Sequence, residues 1–334
     1  MKKTLVALSV LMAATSAQAI ELYNQDGATV NMGGDIEVRY KKDTAKDSEF
    51  KQEIDDSDLN FDIRYAVNDS LSVGGYWEIN DIATKDGEGG DAYVSFITSD
   101  FGTVKIGKTA TQLDDAGIGS DYLFGVQSFI DTADFSGDEV VRYDLDKGDF
   151  YFGLAILQDK ADKDAIGKDG NLFDLKAGYR VADFDLSAFY GKAKLRGTVT
   201  KDTEAVVAGK VETSRVVTTL DAEQSIGALQ ASFSGVENLN LEVGYYRAQF
   251  DAAGADKEVD NTYAFAADYT MDKVKFAGGI SFTKYDNDAD EDHNDWFVNA
   301  GYTLAPNTTV YAEVGGNNKD ESETGFGVGV KSSF

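Results

Sequence analysis

The feature that most constrains this chain is a period of two. From Asp58 to Tyr65, Leu59, Phe61, Ile63 and Tyr65 share one parity, and Asp58, Asn60, Asp62 and Arg64 share the other. Side chains change sides at every residue only in extended backbone, so such a segment is a strand with one apolar and one polar face. Leu71, Val73, Trp77 and Ile79 stand in the same way against Ser72, Tyr76, Glu78 and Asn80, and Leu239 to Tyr245 repeats the pattern. Sixteen such segments begin near Val30, Leu59, Ser70, Ala92, Thr103, Val140, Asp149, Phe173, Phe184, Ile226, Leu239, Tyr263, Val274, Trp296, Thr309 and Gly325. Helical periodicity is needed only in the first residues of the chain.

The connections alternate as well. Short turns such as Asn68-Asp69, Asp146 to Gly148 and Met271 to Lys273 are separated by long charged loops such as Lys42 to Asp55, Asp81 to Gly90, Asp159 to Asn171, Asp251 to Asn261 and Asp286 to Asn294. Two architectures accommodate sixteen amphipathic strands: a soluble two-sheet sandwich, and a closed barrel whose apolar face meets hydrocarbon. The aromatics favour the barrel, because Tyr65, Tyr143, Phe150, Tyr179, Phe184, Phe233, Tyr269, Phe276 and Tyr302 all lie beside short turns. Rings gathered at one height suit a lipid headgroup boundary, whereas a sandwich would spread them through its core. The prediction is an all-β fold, a 16-stranded antiparallel transmembrane β-barrel.

At the N-terminus, Lys2 and Lys3 precede an apolar run from Leu5 to Ala14 and the small-x-small site Ala17-Gln18-Ala19. That is the layout of a secretory signal, so residues 1–19 are expected to be removed and 20–334 to form the barrel. The 334 residues carry a net charge of -28, a balance that argues against nucleic acid as a partner. There is no Cys, and so no disulfide framework.

Five pieces in register resemble the general diffusion porins of the Gram-negative outer membrane. They are Glu21-Leu22-Tyr23-Asn24-Gln25-Asp26-Gly27; Asn68-Asp69-Ser70-Leu71 leading to Tyr76-Trp77-Glu78; Phe101 to Lys108; Val141-Arg142-Tyr143-Asp144; and the terminal Phe334. The resemblance covers the whole chain beyond the leader. It implies a homotrimer, passive diffusion of small hydrophilic solutes, lipopolysaccharide and outer-membrane lipid as surroundings, and recognition of Phe334 by the barrel assembly machinery. It also implies a third loop folded inward as a constriction, and a second loop that latches a neighbouring subunit.

The residues point to the same third loop. Thr109 to Asp138 is about twice as long as the ~12–15 residues an unremarkable loop reaches. Its Leu113, Ile118, Tyr122, Leu123, Phe124, Val126, Phe129 and Ile130 need a surface to bury against, and a barrel interior supplies one. It carries Asp114, Asp115, Asp121, Asp131, Asp134 and Asp138, and no Lys or Arg. By the family's pattern a basic wall faces such a loop: Lys108 and Arg142 match basic positions, Lys105 stands in the same motif as Lys108, and Asp35 and Asp58 occupy places where the family has bases. By parity the first strands turn Asp35, Glu37, Arg39, Asp58, Asp62, Arg64 and Glu78 to the lumen, so acids outnumber bases. Fixed acids in a narrow channel enrich cations within a Debye length of ~8 Å, which predicts a cation-preferring pore.

Other chemistries find little to work with. The single histidine, His293, sits in an acidic loop from Asp286 that fails the EF-hand template, with Glu291 where Gly is needed and Phe297 where Glu is needed. Loose binding of divalent cations there is an alternative to a plain solvated loop. No zinc site, phosphate loop or cofactor motif is present. An outer-membrane hydrolase would have to use His293 beside Asp292, and adjacent residues of a strand point to opposite faces. A sugar-specific channel would line its path with rings, for which the long loop offers Tyr122, Phe124 and Phe129. An adhesin would use the long connection from Arg196 to Gln224, expected to extend the wall outward as a hairpin.

Overall fold

The computed structural model describes the backbone of residues 19–334 except 84–87, 134, 162–165, 208–209, 255 and 288–290, and the side chains of the same residues except 88, 132, 198–207 and 210–220. Asp134 and residues 1–18 of the expected leader lie outside the described residues.

Seventeen strands follow one another: β1 (Ile20–Gln25), β2 (Ala28–Lys42), β3 (Lys51–Asn68), β4 (Leu71–Asn80), β5 (Glu88–Thr98), β6 (Gly102–Ala110), β7 (Ser136–Asp146), β8 (Phe150–Gln158), β9 (Asn171–Val181), β10 (Phe184–Val207), β11 (Lys210–Val236), β12 (Leu239–Ala252), β13 (Glu258–Met271), β14 (Val274–Tyr285), β15 (His293–Ala305), β16 (Thr308–Asn317) and β17 (Gly325–Ser333). Each of β2 to β17 pairs antiparallel with its neighbours in sequence, and β17 returns to β2 with Val330 opposite Val38. These sixteen strands are the sixteen expected ones, closed into a barrel without a free edge.

The additional strand, β1, lies on the same edge of β2 as β17. It covers Ala28 to Met32, while β17 covers Asp35 to Lys42. Between them, the Gly34 N–H donates to the Phe334 carbonyl and the Phe334 N–H to the Gly34 carbonyl, both at 2.9 Å. Strands β1 and β17 therefore form one stave. Gly34 permits this close approach, since a Cβ there would run into the Asp58 carbonyl oxygen and the Phe334 ring.

Strand β3 begins well before Leu59, which shortens the loop expected from Lys42 to Asp55. A bulge between Glu37 and Val38 makes this possible: it leaves Ile54 outside, 40% exposed, and turns Glu53 and Asp55 toward Arg39. At Arg196 to Gln224 the backbone forms the expected hairpin. Strands β10 and β11 pair from Phe184↔Phe233 to Val207↔Lys210, whereas β9 accompanies them only to Lys194 and β12 only from Ala222.

The two faces of the wall separate cleanly. Ile63, Trp77, Val94, Phe173, Val243, Phe265, Val298 and Val328 are all exposed on one side, as are the turn-flanking rings of Tyr65, Phe150, Tyr179, Phe184, Tyr269, Phe276 and Tyr302. On the other side a single buried cluster joins Leu113, Val126, Ile130 and Phe135 of the β6–β7 connection to Val140, Leu157, Phe189, Ile226 and Phe297 of the wall. Burial of each such side chain contributes roughly 1.5–3 kcal/mol. That connection also holds the only helical turns among the described residues, which the strand pattern did not predict. A 3-10 turn spans Leu113–Asp115, and a one-turn helix α1 spans Phe129–Thr132, started by a reciprocal cap between Ser128 and Asp131.

Candidate functional site

The polar face of the wall carries charges in rows set by strand parity. On β3, β6, β7 and β9 stand Arg64, Lys105, Arg142, Lys176 and Arg180, around a cavity of about 480 Å3. Arg64 pairs with Asp62 at 2.6 Å, and Arg180 with Asp146 at 2.9 Å and Asp185 at 3.1 Å. The Lys105 ammonium lies 4.9 Å from the centre of the Tyr93 ring. Glu78 accepts from the Tyr76 hydroxyl at 3.1 Å.

Across the seam of the barrel the balance reverses. Arg39 pairs with Glu53 and Asp55, and Glu37, 6% exposed, accepts from the Tyr311 hydroxyl. Asp35 and Asp58 face each other in register, with Asp56 nearby. Like charges in such a pair repel. The Lys331 ammonium compensates, 2.7 Å from Asp35 and 2.9 Å from Asp56. Among the described residues these three aspartates are the one carboxylate group close enough to hold a cation, and Lys331 already provides a positive charge there.

The segment between β6 and β7 is fastened to both regions. Arg142 Nη2 lies 2.6 Å from Asp115, its Nη1 donates to the Thr111 carbonyl at 2.8 Å, and its Nε is 3.0 Å from Asp144. Lys176 reaches the same Asp115 carboxylate at 3.0 Å. At the far end, Glu313 on β16, 1% exposed, accepts from three consecutive backbone N–H groups, those of Tyr122 (2.6 Å), Leu123 (3.1 Å) and Phe124 (2.7 Å). Asn299 donates to the Ser120 carbonyl at 2.7 Å, Gly119 donates to Glu242 at 2.9 Å, and Gln127 donates to Ser281 at 3.1 Å. All these wall residues have the parity opposite to the exposed apolar rows.

The acids expected in this loop therefore meet different surroundings. Burial raises Asp115, but Arg142 and then Lys176 outweigh it and hold the carboxyl below its ordinary range. Asp121 is open to water yet flanked by low-dielectric wall, and it is raised by that desolvation, with Glu313 and Asp131 adding repulsion. Asp131, likewise open to water, is raised by desolvation from the protein around it in spite of its bonds to the Ser128 backbone and hydroxyl. Asp114 neighbours Asp115 in the 3-10 turn, and Asp138 lies within β7.

Lys108 stands opposite Ala92, in the row of Val94 and Ile106, and its ammonium donates to the Gly89 carbonyl. That is the row of the apolar side. Lys176, Arg180, Glu242 and Glu313 were absent from the sequence-derived set. Parity within the strands starting near Phe173 and Thr309 finds Lys176, Arg180 and Glu313, and Glu242 stands on the polar parity of Leu239 to Tyr245.

His293 meets Asp295, two residues on and on the same face, at 3.3 Å; Asp292 instead accepts the backbone N–H of Tyr285 at 3.0 Å.

Comparison with known proteins places this geometry. Porin-like protein H of Photobacterium profundum is 31% identical over the full length of both chains. Outer membrane protein U of Vibrio parahaemolyticus is 31% identical over all of this chain and 86% of its own. A trimer form of Vibrio cholerae OmpT superposes with a TM-score of 0.75 at 20% identity, over 92% of this chain and all of the other. The description of a Gram-negative porin matches residues 7–322, a span that includes β1 to β16 and the β6–β7 segment, and the chain belongs to that family.

Proposed function

We propose that this outer-membrane porin lets ions and small hydrophilic solutes diffuse passively, that it prefers cations, and that the β6–β7 segment is its constriction. The observation that carries the reading is the pairing of charges. On the segment, Asp121 and Asp131 have no ion-pair partner among the described residues, while the bases Arg142, Lys176, Arg64 and Arg180 are all matched by wall or loop carboxylates. Among the described residues Lys105 is the one base of that cavity without such a match. The surplus is negative, and a narrow aqueous path concentrates its field. The reversal potential of the reconstituted protein across a salt gradient tests this; an anion-preferring potential overturns it.

General diffusion suits the rings better than sugar specificity does. Tyr122 is stacked on Tyr311 at 4.2 Å and Phe124 lies under Lys41 at 5.0 Å, so both are engaged in packing instead of lining a free path. A homotrimer is supported by the trimer form of the similar OmpT structure, and removal of residues 1–19 by the Ala17-Gln18-Ala19 site after the apolar run. The position of Phe334 at the seam, bonded to Gly34, suits a terminal residue read by the assembly machinery and then locked into the wall.

A further inference from the structure

Inward side chains of neighbouring strands form rows, and one row crosses five strands in register: Arg64 of β3, Gly74 of β4, Ser95 of β5, Lys105 of β6 and Arg142 of β7. Between Arg64 and Lys105 stand only a glycine and a serine. These two bases therefore flank a bare floor three strand spacings wide, roughly 14 Å. Gly74 leaves the room, since a Cβ there would come 2.4 Å from Ser95 Oγ. The four side chains of the row all line the cavity of about 480 Å3.

Every carboxylate that lines this cavity is already held by a guanidinium: Asp62 by Arg64, Asp144 by Arg142, and Asp146 and Asp185 by Arg180. A cation entering here finds no acid to pair with. Lys105 is different. Its ammonium lies 4.9 Å from the centre of the Tyr93 ring and meets no carboxylate at ion-pair distance among the described residues. A ring face fixes an ammonium without cancelling its charge. Beside it in the row, Ser95 is 6% exposed, and its hydroxyl has no hydrogen-bond partner among the described residues. Much of the remaining lining is apolar: Tyr76, stacked on Tyr93 at 5.1 Å, Ile97, and the ring of Tyr151. A cavity of this size, with apolar walls and few convergent polar groups, takes a small molecule of matching shape.

We propose that this niche binds a small aromatic monocarboxylate, its carboxylate on Lys105 Nζ and Ser95 Oγ and its ring among the tyrosines and Ile97. The single unmatched ammonium sets the valence at one, because a second negative charge would face Asp62 or Asp144. The niche is a local site and leaves the net ion preference to the surplus acids of the β6–β7 segment. It rests on the aqueous lumen of the porin reading, through which the solute arrives.

Benzoate labelled with 13C at the carboxyl group is the probe, its binding to the refolded protein in nonionic micelles read from broadening of that resonance, with empty micelles as baseline. Lys105→Gln is expected to weaken binding about tenfold, the loss of one hydrogen bond to a charged group. Lys105→Arg is expected to retain binding, and Ser95→Ala to weaken it several-fold. Lys108→Gln removes the same charge from the outer side of the same strand and is expected to leave binding unchanged. Acetate, which lacks the ring, and benzylammonium, which reverses the charge, are expected to bind the unaltered protein more weakly than benzoate. Equal benzoate binding in Lys105→Gln and the unaltered protein overturns the proposal, as does an equal loss in Lys105→Gln and Lys108→Gln. Benzylammonium or acetate bound as tightly as benzoate overturns it without any variant. Failure of the porin reading is distinct, since it shows as absent ohmic conductance in planar bilayers and leaves the micelle measurement to stand on its own.

Discussion

Arg142 and Asp115 join the channel wall to the β6–β7 segment through a contact of 2.6 Å between Nη2 and Oδ2. The guanidinium is nearly buried and its other nitrogens hold Asp144 of its own strand and the Thr111 carbonyl, so one side chain fixes the start of the segment at two points, Thr111 and Asp115. Arg142→Ala leaves Asp115 with Lys176 alone. Removing one partner of a pair this deep costs about 3 kcal/mol. Urea unfolding in detergent is expected to show that loss, and the reversal potential to move toward stronger cation preference, because two carboxylates lose their nearest compensating charge. An unchanged potential would contradict the charge assignment.

Glu313 does the corresponding work at the tip. Three amides and the Asn299 side chain converge on one buried carboxylate, all of them donors. Glu313→Gln replaces one oxygen with a donor that faces those N–H groups, leaving them unsatisfied at roughly 1–3 kcal/mol. Noisier single-channel current is the expected result, with Glu313→Asp noisy to a lesser degree, since its carboxylate is retained one methylene short. A quiet channel in Glu313→Gln would show that the tip is held by other contacts.

The sixteen strands were legible because each alternates over enough residues to fix its two faces, and the rings beside the turns reported where those faces meet lipid. Strand β1 was not, since Ile20–Gln25 is short and its role exists only once the C-terminal residue arrives at Gly34. Helix α1 escaped notice because one turn has too few residues to display a period; its cap, Ser128 with Asp131, was written in the sequence but read as pore charge. The acids of the long loop were visible as a set, yet their fates were not. Asp115 is neutralised by bases on β7 and β9, strands remote from it in sequence, while Asp121 meets no base at all among the described residues. The row of glycines on the last strand, Gly325, Gly327 and Gly329, has a reason that only the fold supplies: the Phe124, Leu123 and Tyr311 side chains lie on it.

Acid separates two groups of carboxylates. Asp121 and Asp131 are raised above the ordinary aspartate range by desolvation, so on acidification they lose charge first. Their ionisation opposes folding, and protonating them costs no stability. Asp115 is lowered by Arg142 and Lys176 against the effect of burial; its contribution is complete above ~3.9 and disappears as pH falls through its lower folded value. Cation preference is therefore expected to weaken at a higher pH than that at which heat stability falls. Reversal potentials and thermal melts taken on one pH series check this, and Asp121→Asn with Asp131→Asn is expected to flatten the upper step only. A single coincident transition would contradict the assignment.

The segment lies close to the wall because the wall beneath it is bare. A Cβ at Gly315 would come 2.7 Å from the Cβ of Phe124, one at Gly279 would come 2.7 Å from Val126, and one at Gly327 would come 2.6 Å from Leu123. Gly315→Val must displace Phe124 and with it the tip that Glu313 holds, at about 1–3 kcal/mol for overpacking. The open pore is expected to change conductance and to become noisier, as in Glu313→Gln. Gly75 on β4 has open space where its Cβ would lie, so Gly75→Val serves as the control, with stability within about 0.5 kcal/mol of the parent and unaltered current. Equal conductance in Gly315→Val and Gly75→Val would mean that the width of the channel is set somewhere other than at the tip of the β6–β7 segment.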